Sequence, residues 1–189
     1  MIFFEDDTSF SFNSTSFQSK EQLNKGLWLI LIGVNDIPHI ALLHEGDYYS
    51  LSTRKVDCGS SLERLLNVLE RKNVPTLFIQ IEEDNIIARN EATSVLLLKT
   101  YKDLKPLGIT KNTCLSPIKE FFTKYYSEDF AHVNYVFELL ALAEKKNLLK
   151  ECITVNILSN KITLPKYTMA QIRDTITKLS TPVTTINNE

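Results

Sequence analysis

Apolar and polar residues alternate or cluster along this chain in two distinct regimes, and the change between them sets the expected architecture. Leu27–Ile32 is an unbroken apolar run, too short for a buried helix and fitted to a strand covered on both faces. Gly33 to Pro38 contains Asn-Asp and proline, both of which punctuate structure. His39–Leu43 then reads as a second strand, Glu45-Gly46-Asp47 as a tight hairpin turn, and Tyr48–Thr53 as the antiparallel return. Thr76–Ile81 forms a fourth strand, and the acidic Glu82-Glu83-Asp84-Asn85 a solvated turn after it.

Helical spacing takes over elsewhere. Ser60 and Glu63 have the spacing of a capping box, and Leu62, Leu65, Leu66 and Leu69 follow as one apolar stripe, broken by Asn73-Val74-Pro75. A helix is expected from Ala92 to about Tyr101, then a loop at Pro106 and Gly108. Ser116-Pro117 opens another helix, because proline is tolerated in a first turn, where its missing N–H has no partner to lose. Phe121, Phe122 and Tyr125 give that helix its apolar face. A further helix is expected from about Asp129 through Phe137, Leu140 and Leu142 to about Leu148, followed by a strand over Ile153–Leu158. Thr168 and Gln171 repeat the capping pattern before a closing helix through Ile172, Ile176 and Leu179.

Antiparallel strands followed by runs of helices predict an α+β fold, an antiparallel β-sheet with packed helices. Residues 1–20, mixing phenylalanine with Ser, Thr and Asn, are expected to be loosely ordered, with room for one short edge strand. Residues 21–179 form the single domain, with a core over 21–126 and a helical C-terminal part over 127–179, and 180–189 a polar tail.

Composition narrows the function classes. At 189 residues, 43% hydrophobic and 23% charged, the chain suits a single globular domain. No apolar run approaches the ~20 residues that a membrane-spanning helix needs, so no integral membrane segment is expected. Acidic residues after Met1 stand where a signal peptide would be basic, which predicts a cytoplasmic protein. A net charge of -2 with scattered lysines gives no general attraction to nucleic acid. Cys58, Cys114 and Cys152 are odd in number and lack C-x-x-C spacing, which argues against a disulfide framework and a structural zinc site. No glycine-rich phosphate loop is present, and no cofactor or metal is expected.

Two residues remain that can carry chemistry. Cys114 precedes or begins the Ser116-Pro117 helix, where unpaired backbone N–H groups favour a thiolate and an oxyanion. His39 begins a strand and is a candidate base for it. On the residues alone, a packed, unreactive side chain is the better reading of each. His44, expected to be exposed at the hairpin, and His132, expected at the start of a helix, compete as bases. A metal site from His39, His44 and Cys58 or Asp57 is disfavoured, since strand alternation sends positions 39 and 44 to opposite faces. The tyrosine pairs 48–49 and 125–126 fit core packing better than ligand stacking.

Pro38-His39-Ile40-Ala41-Leu42-Leu43, the turn at Gly46, and Tyr48-Tyr49-Ser50-Leu51 together resemble the histidine hairpin of circularly permuted papain-like proteins. These include the lecithin–retinol acyltransferase-like enzymes, in which the histidine strand precedes the cysteine helix. Asn112-Thr113-Cys114 resembles the polar lead to the family's cysteine, and the likeness in element order spans roughly residues 27 to 126. It implies a thiol hydrolase or acyltransferase: Cys114 as nucleophile, His39 as base and acid, and Ser50 or Ser52 orienting the imidazole, where the family more often has His, Glu or Gln. The implied substrate is a small-molecule, lipid or peptide amide, ester or thioester. The alternative is an inactive interaction domain on the same scaffold, with a protein as partner.

Overall fold

The computed structural model describes residues 2–6, 9–83, 90–107, 112–159 and 161–180. The expected α+β class is present, with a large, mostly antiparallel sheet and five α-helices among the described residues.

The apolar run becomes β4 (Leu27–Ile32), the middle strand of a seven-stranded sheet. It is flanked by β5 (His39–His44) on one side and β8 (Thr76–Ile81) on the other, both antiparallel. From β5 the chain meanders through β6 (Asp47–Leu51) and β7 (Val56–Ser61). The β5–β6 loop is two residues long: Glu45 (φ 49°) and Gly46 (φ 81°) both take the left-handed region that matches the twist of a tight hairpin. Helix α1 (Leu62–Arg71) then crosses back to β8. Its cap is Ser61, one residue later than the spacing suggested, with the Arg64 N–H donating to Ser61 Oγ at 3.4 Å.

Alternation along the strands divides the core in two. Trp28, Ile30, Ala41, Leu43 and Phe78 face α1 and its leucine stripe. Leu29, Leu31, Ile40, Leu42, Leu77 and Ile79 face the other way. That second side is covered by α2 (Asn90–Lys102), α3 (Leu115–Tyr125) and α4 (Val136–Lys145). Phe121 and Phe122 of α3 lie fully inside this layer.

Three expectations are corrected. The first 20 residues are not loosely ordered where they are described: β1 (Ile2–Asp6) and β2 (Ser9–Asn13) form a small sheet with β10 (Lys161–Thr163). Likewise β3 (Thr15–Ser16) runs parallel to β9 (Leu149–Val155), the outer neighbour of β8. The β2–β10 and β3–β9 partners lie far apart in sequence, so no local pattern reveals those pairings, whereas β1 and β2 pair as chain neighbours. The helix expected over 129–148 is split into a 3-10 turn, Glu128–His132, and α4. Extended backbone at Val133 and Tyr135 breaks it, and Glu138 restarts it by accepting the Asn134 N–H at 2.7 Å and the Tyr135 N–H at 3.2 Å. The segment 127–179 is therefore not helical throughout, since it supplies β9 and β10 before α5 (Met169–Ser180). Asp84, Asn85 and Gly108 and all but the first residue of the 180–189 tail lie outside the described residues.

Candidate functional site

His39 enters β5 directly after the Gly33–Pro38 turn, paired with Ile32 of β4. The hairpin register sets Leu42 opposite Tyr49, which makes Ser50 of β6 a same-face diagonal neighbour of His39. The two side chains meet, with His39 Nε2 at 2.6 Å from Ser50 Oγ. Ser50 is buried and also bonds the Tyr48 hydroxyl. Across β7, Ser50 faces Asp57, whose carboxylate takes bonds from Lys55 Nζ at 2.7 Å and Ser60 Oγ at 3.0 Å.

Burial dominates the electrostatics here. It pulls the His39 pKa down from 6.5 to about 4, with the Asp57 charge opposing the shift but not overcoming it. The imidazole is therefore neutral near pH 7, the form that accepts a proton. Burial also raises Tyr48 to about 12, keeping its hydroxyl protonated as a donor.

Cys114 is the residue at the head of α3, in the N-cap position with helical backbone angles. Ser116 lies inside the first turn, its hydroxyl accepting the Thr113 N–H at 3.0 Å. Burial raises the Cys114 pKa, and the backbone N–H groups of Ile40, Cys114 and Leu115 partly offset this by bonding the sulfur. The resting group is thus a thiol, which needs a base before it can attack. The Ile40 contact brings the sulfur against β5 on the α3 side of the sheet. The His39 side chain, with Ala41 and Ser50, lies on the α1 side, so the two groups approach each other only around the start of the strand.

His39 stands where two cavities meet. One, of about 420 Å³, lies on the α1 side of the sheet and includes Tyr48, Ser50 and Asp57. The other, of about 180 Å³, is bordered by His39 and Cys114 together, and α5 closes it with Ile172, Thr175, Ile176 and Leu179. No residue of α5 is buried, so this roof is weakly held.

The remaining candidates fall elsewhere. Ser52 borders both cavities, but its hydroxyl closes the β6–β7 turn, donating to the Lys55 carbonyl at 2.8 Å and accepting the Lys55 N–H at 3.1 Å. His44 is not exposed as expected. It is fully buried at the far end of β5, with Nε2 at 3.2 Å from Glu83 Oε1. His132 ends the 3-10 turn and is exposed. Cys58 and Cys152 are free thiols with pKa values raised by burial. Among the described residues no cluster of three His, Cys, Asp or Glu side chains can hold a metal, and no helix is long and apolar enough to cross a membrane. Tyr48 and Tyr49 are buried, and Tyr125 and Tyr126 pack on Phe121.

Sequence reasoning missed Tyr48 and Asp57 as neighbours of His39. Alternation alone would have put Tyr48 beside Ser50, but Asp57 depends on β7, whose residues Val56–Ser61 carry little strand signal. Compared with family models, curated proteins and solved structures, the chain matches none.

Proposed function

We propose that this chain is a thiol hydrolase or acyltransferase of the permuted papain-like kind, with Cys114 as nucleophile, His39 as base and acid, and Ser50 orienting the ring. The observation that carries the reading is that His39 and Cys114 border one cavity while His39 Nε2 is tied to Ser50. With the Nε2–H donating to Ser50, Nδ1 is the nitrogen left to take a proton. Histidine strand before cysteine helix is the chain order of the resemblance.

In the first step, Cys114 Sγ attacks the substrate carbonyl carbon and the thiol proton passes to His39. Backbone N–H groups at the head of α3, which bond the sulfur at rest, are the donors nearest the forming oxyanion. The bond to the leaving oxygen, nitrogen or sulfur then breaks as His39 returns the proton to it, leaving an acyl thioester. Water or an acceptor alcohol or amine then attacks the thioester carbon as His39 takes its proton; the C–S bond breaks, His39 returns the proton to the sulfur, and the acid, ester or amide leaves.

The 2.6 Å contact favours a second reading on the same base, with Ser50 as the nucleophile. Incubation with p-nitrophenyl esters, followed by mass mapping, separates the readings. An acyl adduct on Cys114, lost in Cys114→Ala, supports the thiol enzyme. An adduct on Ser50 transfers the role, and acylation of neither favours the non-catalytic interaction domain.

A further inference from the structure

Apart from His39 and Ser50, the lining of the larger cavity beside His39 takes no part in the acyl-transfer reading. Its floor is apolar, from Ile32, Leu65, Val68 and Val74, and its inner end is polar, from Tyr48 and Ser50. At about 420 Å³ it falls within the range of small-molecule sites. Its charged lining is unbalanced. Lys55, Arg64 and Lys72 supply three cations against the single carboxylate of Asp57, on a chain whose net charge is -2. Asp57 is already matched by Lys55 at 2.7 Å. Among the described residues, Arg64 and Lys72 form no ion pair.

The arrangement of those two cations is regular. Arg64, Val68 and Lys72 follow at intervals of four along α1 and its C-cap, so they share one stripe of the helix over the groove. The rise of an α-helix separates the two charges by about 12 Å along the axis, with the apolar Val68 between them. Uncompensated positive charge beside a concave apolar surface is complementary to an anion with an apolar body. It repels cations of the same shape, and offers a neutral ligand only the floor.

We infer that the groove between α1 and the β5–β6–β7 side of the sheet binds a small organic acid, its hydrocarbon body on Leu65 and Val68 and its carboxylate against Arg64 or Lys72. The site is independent of Cys114, which belongs to the neighbouring cavity, so it stands whether or not the thiol is catalytic. Arg64 and Lys72 are exposed, and their replacement leaves the core untouched.

The test is titration of the full-length protein with octanoate, octanol, octylammonium and inorganic phosphate, followed by amide NMR and calorimetry. Octanoate saturates and shifts amides of Ser50, Leu65 and Val74. Octanol binds more weakly, octylammonium and phosphate do not saturate, and rising salt weakens the octanoate complex. Arg64→Gln with Lys72→Gln, which removes the contact whichever cation makes it, reduces octanoate affinity by up to about fivefold, the scale of one exposed charge contact. Val68→Trp abolishes binding by filling the groove. Equal binding of octanol or octylammonium, saturation by phosphate alone, indifference to the paired substitution, or absence of octanoate binding would each overturn the assignment. Cys114→Ala binds octanoate as the wild type does, so failure of the thiol chemistry leaves this result unaffected.

Discussion

His39 Nε2 and Ser50 Oγ lie 2.6 Å apart across the β5–β6 hairpin, a contact that fixes the ring of the only histidine bordering the Cys114 cavity. The hairpin register dictates it, because same-face diagonal neighbours on adjacent antiparallel strands are within side-chain reach. One ring nitrogen is thereby engaged by Ser50, and the proposed chemistry runs through the other.

Ser50→Ala removes the orienting partner and leaves a buried ring nitrogen without its bond. Ester turnover is expected to fall about a hundredfold in kcat with little change in KM, the lower range of what general-base catalysis supplies. Ser50→Thr keeps the hydroxyl and restores most of the rate. Equal loss in both variants would mean that packing, not hydrogen bonding, is what Ser50 contributes.

The depressed His39 pKa makes acid stability depend on this site. Unfolded, the imidazole titrates near 6.5, while folded it titrates at about 4, so between those values the unfolded chain binds more protons. Stability is full above pH 6.5 and declines as pH falls toward 4, by at most about 3 kcal/mol from this group. Denaturant titrations of His39→Leu should show a flatter dependence across that window. An unchanged slope would indicate a His39 that titrates normally.

Asp57 raises the His39 pKa against the effect of burial. Asp57→Asn removes that charge, so the His39 titration seen by NMR should move further down, along with the acid limb of any pH–rate profile. A shift upward would contradict the assigned sign. Because Asp57 also holds Lys55 and Ser60, Lys55→Met serves as a control.

Helix α5 covers Cys114 through Ile172 and Ile176 without burying any residue of its own. Ile176→Asp weakens this roof, and alkylation of Cys114 should accelerate several-fold while the melting temperature changes little. A parallel rise at Cys152, which lies in the sheet under α4, would instead report global loosening.

How legible this was in sequence depended on distance along the chain. β4, β5, β6 and β8 were readable because a strand of apolar residues and a Glu-Gly turn are local signals. For His39 the resemblance left Ser50 and Ser52 both open as partners, and it is the hairpin register in the folded chain that brings Ser50 to the ring. β3 was not readable, because Thr15 and Ser16 reach strand geometry through β9, well over a hundred residues away. β1 and β2, in contrast, pair with each other, and Ser9-Phe10-Ser11-Phe12 alternates as a strand does, a local signal masked by the polar composition around it. His44 misled for a related reason: a histidine beside a hairpin turn suggests exposure, yet Glu83 after β8 buries it as a pair. The position of Cys114 at the N-cap of α3 was one of two placements the sequence allowed, and its contact with Ile40 required the tertiary fold.

The most direct measurement is the rate at which iodoacetamide labels Cys114 across pH 4 to 10, in wild type and in His39→Ala. A thiol served by a neutral imidazole labels faster than its raised pKa allows, and loses that advantage below about pH 4, where His39 is protonated. Slower labelling of Cys114 in His39→Ala is expected throughout the neutral range, with Cys58 unaffected. Identical Cys114 profiles in the two proteins would contradict the proposed chemistry.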